Sequence, residues 1–392
     1  MSANSADSPK SRIDWKGCRI KIQQPTQKNE EILQEKMHQT PRHATIVVLT
    51  LLFFALTAAA CGDRNSDRLP LTVSVKNKSM SKLPFVIAWT QGLYEKHGLN
   101  VDFLLDETPR QAEARESFLT RSWRRVGRRL GLVEPNTPDI IVAGHGPSFI
   151  LRLRGSPMPA WVALAATDCS VRDYVIARPG IGGIEELRGK RLGINDEAST
   201  SGYAGLRLLE RMGWERGKDV SIVRPAGVEE LENGIVDAIV GGDEEIEAAE
   251  RSGYPVLEDT RRWNERLAGN SALVAPGWLR EGMHREAARR FLKATIEAVA
   301  LFHERPDLVM EVMASQYGIT DRAIAEARYR RADYVPRKPF PCREGVEAML
   351  KLHHLEEMHE YALEDFYDDS LMRELDESGF IDGVYQSLAA GQ

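Results

Sequence analysis

The chain predicts an α/β fold built on open, mostly parallel sheets. Short apolar or β-branched runs alternate with helix-spaced segments from Leu71 to Ala275, and glycine or proline stands at many of their ends. A length of 392 residues, 42% hydrophobic and 28% charged, supplies core material for two or three domains. No internal repeat and no low-complexity tract competes with that reading.

Taken in order, LTVSV (Leu71 to Val75) is a short strand, and Pro84 to His97 reads as a helix stopped by Gly98. NVDFLL, Asn100 to Leu105, is the next strand. Gln111 to Leu132 has charged, helical spacing and ends near Pro135, and DIIVAG, Asp139 to Gly144, is a buried strand by its apolar run. Pro147 to Arg154 follows as a helix with proline in its first turn, and WVALAA, Trp161 to Ala166, is a further strand. The same grammar then repeats. DYVIAR (Asp173 to Arg178), RLGIN (Arg191 to Asn195), VSIVR (Val220 to Arg224), DAIVGG (Asp237 to Gly242) and PVLED (Pro255 to Asp259) are strands. Helices over Ser201 to Met212 and Glu244 to Arg251 separate some of them. After SALVA, Ser271 to Ala275, the chain is helical to its end, with breaks around Val335 to Pro341.

The formal net charge is −6, and the first 60 residues are basic, with 8 Lys/Arg against 5 Asp/Glu, so the remainder is more acidic than the whole. Such a chain lacks the basic footprint of a nucleic-acid binder. The run Arg121 to Arg129 is the local exception, and it reads as a solvated helix face. The four cysteines, at 18, 61, 169 and 342, have no CxxC spacing, which argues against zinc and dithiol redox motifs. Cys169 and Cys342 could pair in an oxidising compartment, but sequence does not place them within bonding distance.

The front of the chain reads as an address. Ala44 to Ala60 is almost wholly apolar, basic residues precede it (Lys36, Arg42), and small residues close it (Ala58, Ala59, Ala60) directly before Cys61. That junction resembles the bacterial lipobox, with Ala58 standing where leucine is usual. The resemblance implies lipidation of Cys61, whose two-chain diacylglyceryl group would anchor the protein stably. An uncleaved transmembrane anchor is the alternative. Met1 to Glu35 is long for the polar start of a leader, which points to translation from Met37.

One stretch carries a family resemblance. FVIAWTQGLYEKHGLNVDF, Phe85 to Phe103, is similar to the first helix and second strand of nitrate/sulfonate/taurine-type ABC substrate-binding proteins, through Gly92, Tyr94, Lys96, Gly98, Leu99 and Val101. DYVIARPGIGGIEELRGKRLGI, Asp173 to Ile194, and DFYDDSLMRELDESGFI, Asp365 to Ile381, resemble two later stretches of that family. The resemblance implies a two-lobed periplasmic-binding-protein type 2 fold: two doubly wound sheets joined by two crossover strands, closing on a ligand. It divides the chain into a leader (1–60), a tether (61–70), lobe I (71–168 with 273–392) and lobe II (169–272). The Arg-rich segment Ala114 to Pro138 departs from the family, whose members are shorter there.

Ligands in such folds sit where strand ends and helix starts of both lobes converge. Ser199, Thr200 and Ser201, followed by Gly202, open a helix and offer hydroxyl and N–H donors suited to an oxyanion; plain N-capping is the structural alternative. Asp196 and Glu197 would repel an anion unless they point away. Ser81 and Lys82, with Ser79, occupy the loop after the first strand, and His145 leaves the DIIVAG strand beside Gly144 and Gly146. Asp168 falls at the first crossover, and Asp243 and Glu244 follow the DAIVGG strand, where two carboxylates could grip an amine or a cationic ring nitrogen. Trp89, Trp161 and Trp263 could stack on a flat ligand.

The expected protein is therefore a lipid-anchored, extracytoplasmic monomer that binds a small polar solute for an ABC permease and ATPase. It would use no cofactor or metal, and catalyse nothing. No HExxH, P-loop, GxGxxG or Ser/His/Asp order supplies chemistry. The alternatives are a pyrimidine- or menaquinone-pathway enzyme on the same fold, and a membrane-tethered ligand sensor.

Overall fold

Ten strands in two sheets organise the computed structural model, which describes residues 68–75, 77–105, 138–146, 161–197, 199–352 and 361–390. The strands are β1 (Leu69–Val75), β2 (Leu99–Leu105), β3 (Ile140–Gly144), β4 (Val162–Ala166), β5 (Tyr174–Ala177), β6 (Arg191–Gly193), β7 (Ser221–Val223), β8 (Ala238–Gly241), β9 (Val256–Asp259) and β10 (Asn270–Val274). The first sheet has the order β2-β1-β3-β10-β4, the second β7-β6-β8-β5-β9. Burial follows that order. Central β5, β8 and β10 are buried along their whole length, which is why they read as unbroken apolar runs, whereas edge strands β7 and β9 are partly exposed.

The expectation of mostly parallel pairing is corrected. β1–β2, β1–β3, β6–β7 and β6–β8 are parallel, but β10 runs antiparallel to β3 and β4, and β5 antiparallel to β8 and β9. The cause is the exchange between sheets. β5 and β10 are the strands by which the chain arrives from the other lobe, and each enters its sheet from the opposite end.

The helices are α1 (Leu83–Thr90), α2 (Leu93–Lys96), α3 (Thr200–Met212), α4 (Val228–Glu232), α5 (Asp243–Ser252), α6 (Gly282–Glu304), α7 (Pro306–Val312), α8 (Arg322–Arg331), α9 (Arg343–Leu352), α10 (Ser370–Glu377) and α11 (Phe380–Ala390). The single helix expected over Pro84 to His97 is two, because Gly92 adopts φ +65° between α1 and α2. α6 is the spine of the first lobe: its Phe291 stacks between Phe85 and Tyr94, with ring centroids 6.0 and 5.5 Å away. α7, α8, α10 and α11 add to the same core through Val309, Ala325, Leu371 and Ile381. In the second lobe two smaller clusters cover the two faces of the sheet, one around Val175 and Leu208, the other around Ile176 and Ile246.

Two connections join the sheets, 167–173 and 260–269, and they are hydrogen-bonded to each other. Gly269 donates its N–H to Asp168 O (3.2 Å), and Thr260 donates to Asp173 O (3.0 Å). Cys169, in the first connection, is disulfide-bonded to Cys342, just before α9, with Cα atoms 5.4 Å apart. The segments expected as leader, lipid-bearing Cys61, Arg-rich helix and Pro147 to Arg154 helix lie outside the described residues. Among the described residues no helix is long and apolar enough to cross a membrane.

Candidate ligand-binding cleft

Strands β6, β7 and β8 of the second sheet run into the starts of α3, α4 and α5, and these three helix starts face a cavity of about 370 Å³ between the lobes. That size suits a small molecule. From the first lobe Lys78, Ser79 and Met80 close it, together with Tyr317 and Arg328. Across the gap the lobes are clamped by charge. Glu247 of α5 is buried and takes Arg328 of α8 in a two-pronged contact, Nε to Oε1 2.6 Å and Nη2 to Oε2 2.7 Å. Arg331 adds a third bond to the same carboxylate at 2.9 Å.

Ser199, Thr200 and Ser201 all line the cavity. Ser199 is the N-cap of α3, its Oγ accepting from Gly202 N–H at 3.0 Å, so capping and cavity lining coincide in one residue. Gly202 is required there. A Cβ on it would lie 2.1 Å from Asp196 O, inside the loop that presents Ser199. Glu197 turns away from the cavity to Arg216 (2.7 Å) and Arg224 (3.2 Å). Asp243 and Glu244, in the first turn of α5, also line the cavity, and Asp243 stands 3.6 Å from Arg331 Nε.

The remaining expected residues are near the cleft but do not line it. Ser81 is buried beneath the lobe junction, where its Oγ accepts from Asn270 Nδ2 at 2.6 Å; the loop reaches the cavity earlier, at Lys78 to Met80. Lys82 is buried too, its Nζ donating to Asn77 O at 3.3 Å. His145 is enclosed: its N–H donates to Gly269 O (2.9 Å) and its Nε2 to Trp161 O (3.0 Å), which places the ring proton on Nε2. Burial pushes its pKa down to about 4 against the opposing pull of that carbonyl, so the ring is neutral near pH 7. Asp168 sits behind the wall, accepting from Arg172 Nε at 2.7 Å. None of Trp89, Trp161 and Trp263 lines the cavity; Trp89 stacks on Phe103 in the core, centroids 4.9 Å apart.

Sequence reasoning missed Arg172, Asp173 and Arg328, all of which line the cavity. Arg172 and Asp173 form the last residues of the first connection. Burial works against the Arg172 charge, but Asp168, Tyr334 and Asp243 more than offset it and hold the guanidinium well above its usual range. Burial raises Asp173 to about 7, Arg172 opposing, Asp168 and Glu245 adding to the rise, and the Thr200 hydroxyl opposing.

No family model matches the sequence, and no curated protein matches it. Solved structures do match in fold. The periplasmic aliphatic sulphonate binding protein SsuA from Escherichia coli is 19% identical with a TM-score of 0.53, the match covering 76% of this chain and 90% of that one. The periplasmic nitrate-binding protein NrtA from Synechocystis PCC 6803 is 13% identical with a TM-score of 0.55, covering 80% and 89%. The desulfurization enzyme DSZB is 15% identical with a TM-score of 0.56, covering 79% and 99%. At such identities the likeness shows the fold: the two-lobed α/β architecture of periplasmic binding proteins of the nitrate and sulfonate type, on which one of these three is an enzyme.

Proposed function

We propose that the chain is an extracytoplasmic solute-binding protein that captures a small polar molecule (a sulfonate, an amine or a nitrogen heterocycle) between its lobes and passes it unaltered to an ABC permease and ATPase. The observation that carries this is the cavity itself, walled by three helix starts of one lobe and by a loop and α8 of the other. Export is supported by the apolar run Ala44 to Ala60 and by the Cys169–Cys342 disulfide, a bond suited to an oxidising compartment. Lipid attachment at Cys61 would hold the protein at the membrane beside its transporter, as a monomer.

Binding without turnover fits the wall better than catalysis. Among the described residues that line the cavity there is neither histidine nor cysteine, so Ser199 and Ser201 have no imidazole to activate them. A thermal-shift screen of residues 67–392, which form one compact unit, tests the reading against sulfonates, nitrate, amines and pyrimidines. A true ligand at about 100 times its Kd stabilises by about 2.7 kcal/mol. It should also be recovered chemically unchanged. Conversion of the compound, or no shift with any class, overturns the proposal.

A further inference from the structure

The cavity wall contains both hydroxyls, which suit an oxyanion, and carboxylates, which suit a cation. Their internal hydrogen bonds separate the two. A serine hydroxyl has one proton to donate. Ser199 Oγ donates its proton to Asp196 O at 2.5 Å, so at the 2.9 Å contact between Ser199 Oγ and Ser201 Oγ the proton comes from Ser201. Ser199 Oγ then accepts from both Ser201 and Gly202 N–H, and Ser201 Oγ accepts from Asn195 N–H at 3.2 Å. Thr200 Oγ1 donates towards Asp173 Oδ1, 3.5 Å away. The protons of Ser199, Thr200 and Ser201 are thus directed into the protein, and from the first lobe Tyr317 donates its own to Ser79 O at 3.0 Å.

The charges point the same way. Five carboxylates line the cavity, at Asp173, Glu230, Asp243, Glu244 and Glu245. The three bases are Lys78, Arg172 and Arg328, and both arginines are engaged by carboxylates outside the lining, Arg172 by Asp168 and Arg328 by Glu247. Glu230 and Glu245 each commit an oxygen to a helix start, accepting from Gly227 and Gly242 N–H at 2.8 Å. Asp173 is different. It is only 4% exposed, and its Oδ2 has no hydrogen-bond partner among the described residues. A buried carboxylate oxygen left without a donor is costly, and a bound molecule that supplies one recovers that cost as affinity.

We propose that the solute presents a protonated nitrogen to Asp173, as an ammonium, an amidinium or a protonated ring nitrogen, with Asp243 and Glu244 of the same lining reinforcing the same sign. This deepens the solute-binding reading and rests on it. The raised pKa of Asp173 agrees, since its charge lacks a full counterpart until the solute arrives. Arg172 and Asp168 in the connection, Glu245 on α5, Thr200 on α3, and Lys78 and Arg328 from the first lobe are the polar and charged groups around it.

Isothermal titration of the full chain in detergent at pH 8 tests the assignment with size-matched probes, benzylamine and benzamidine against benzenesulfonate, and with methanesulfonate and nitrate. The cations should bind and the anions should not, and Asp173→Asn should weaken the cations at least tenfold. The ranking of benzylamine over benzenesulfonate needs no variant, so it holds even if Asp173→Asn folds poorly. Preference for an anion, or unchanged cation affinity in a folded Asp173→Asn protein, overturns this assignment and leaves the solute-binding reading standing. Heat with none of the probes also overturns it, and the wider screen then decides the broader reading.

Discussion

The two sheets wind identically, yet their strand ends do different work. In both, the fourth position is held by the strand arriving from the other lobe, β10 in one and β5 in the other. Register makes the correspondence tight. Asn270 opens β10 opposite Gly144, and Tyr174 opens β5 opposite Gly241. The residue before each is the telling pair. In the first lobe it is Gly269, where a Cβ would lie 2.6 Å from the Asp168 carboxylate, so the backbone packs shut against the loops that carry His145 and Ser81. In the second lobe it is Asp173, and a carboxylate faces the cavity instead. A strand-end address brings a residue to the junction; what the incoming connection places on top decides whether it meets solute or protein.

Four experiments break or sharpen that contrast. The largest effect belongs to the disulfide, which spans 173 residues of chain: Cys342→Ser should cost about 2–5 kcal/mol, read as a lowered Tm that reductant reproduces in the unaltered protein. Next, Glu247→Gln leaves the partly buried Arg328 and Arg331 against a neutral amide, and should cost about 3 kcal/mol in chemical unfolding. Ser81→Ala and Ser199→Ala form a matched pair. Each should cost about 1 kcal/mol, the first by leaving Asn270 Nδ2 with only its longer bond to Ser79 Oγ and the second by removing the cap of α3. Only Ser199→Ala should also change solute affinity, and an equal change in both would erase the distinction between the lobes.

The smallest effect is on pH dependence, because two buried groups oppose each other. The folded pKa of Asp173 is raised to about 7, so its unfolded form loses its proton first and stability is lost as pH rises from about 4 towards 7. For His145 the folded pKa is lowered to about 4, so its contribution is present above about 6.5 and lost as pH falls towards 4. The unaltered chain should show a shallow Tm profile across that window. Asp173→Asn, which mimics the protonated carboxyl, should leave Tm near its original value at about pH 4, raise it at pH 8, and uncover the His145 slope. A flat profile in the variant would show that His145 does not titrate as its enclosure requires.

Central strands were legible because full burial makes them apolar without interruption, as in DAIVGG and SALVA. Direction was not, since an apolar run reads the same whichever way it enters a sheet, and so β5 and β10 escaped. Gly92 split a helix whose apolar spacing continues on either side. Within the cleft, Ser199 to Ser201 and Asp243 to Glu244 were found because each stands between a strand and a helix. Ser81, Lys82 and His145 satisfy the same local rule, but their burial is set by the tertiary fold and has no signature in their neighbourhood. Asp173 had a signal, a lone acid directly before an apolar run, that was taken as the strand's own beginning. Arg328 had none. It acquires its role from Glu247, which lies 81 residues away in sequence.

The bond between Cys169 and Cys342 also makes a ring of the polypeptide. Every strand of the second sheet, from Tyr174 to Asp259, lies on that ring. One proteolytic scission anywhere on it opens the circle without releasing a fragment. Cut protein should therefore migrate as a single species on a gel until thiol is added, then fall into two pieces. A severed second lobe would stay tied to the first.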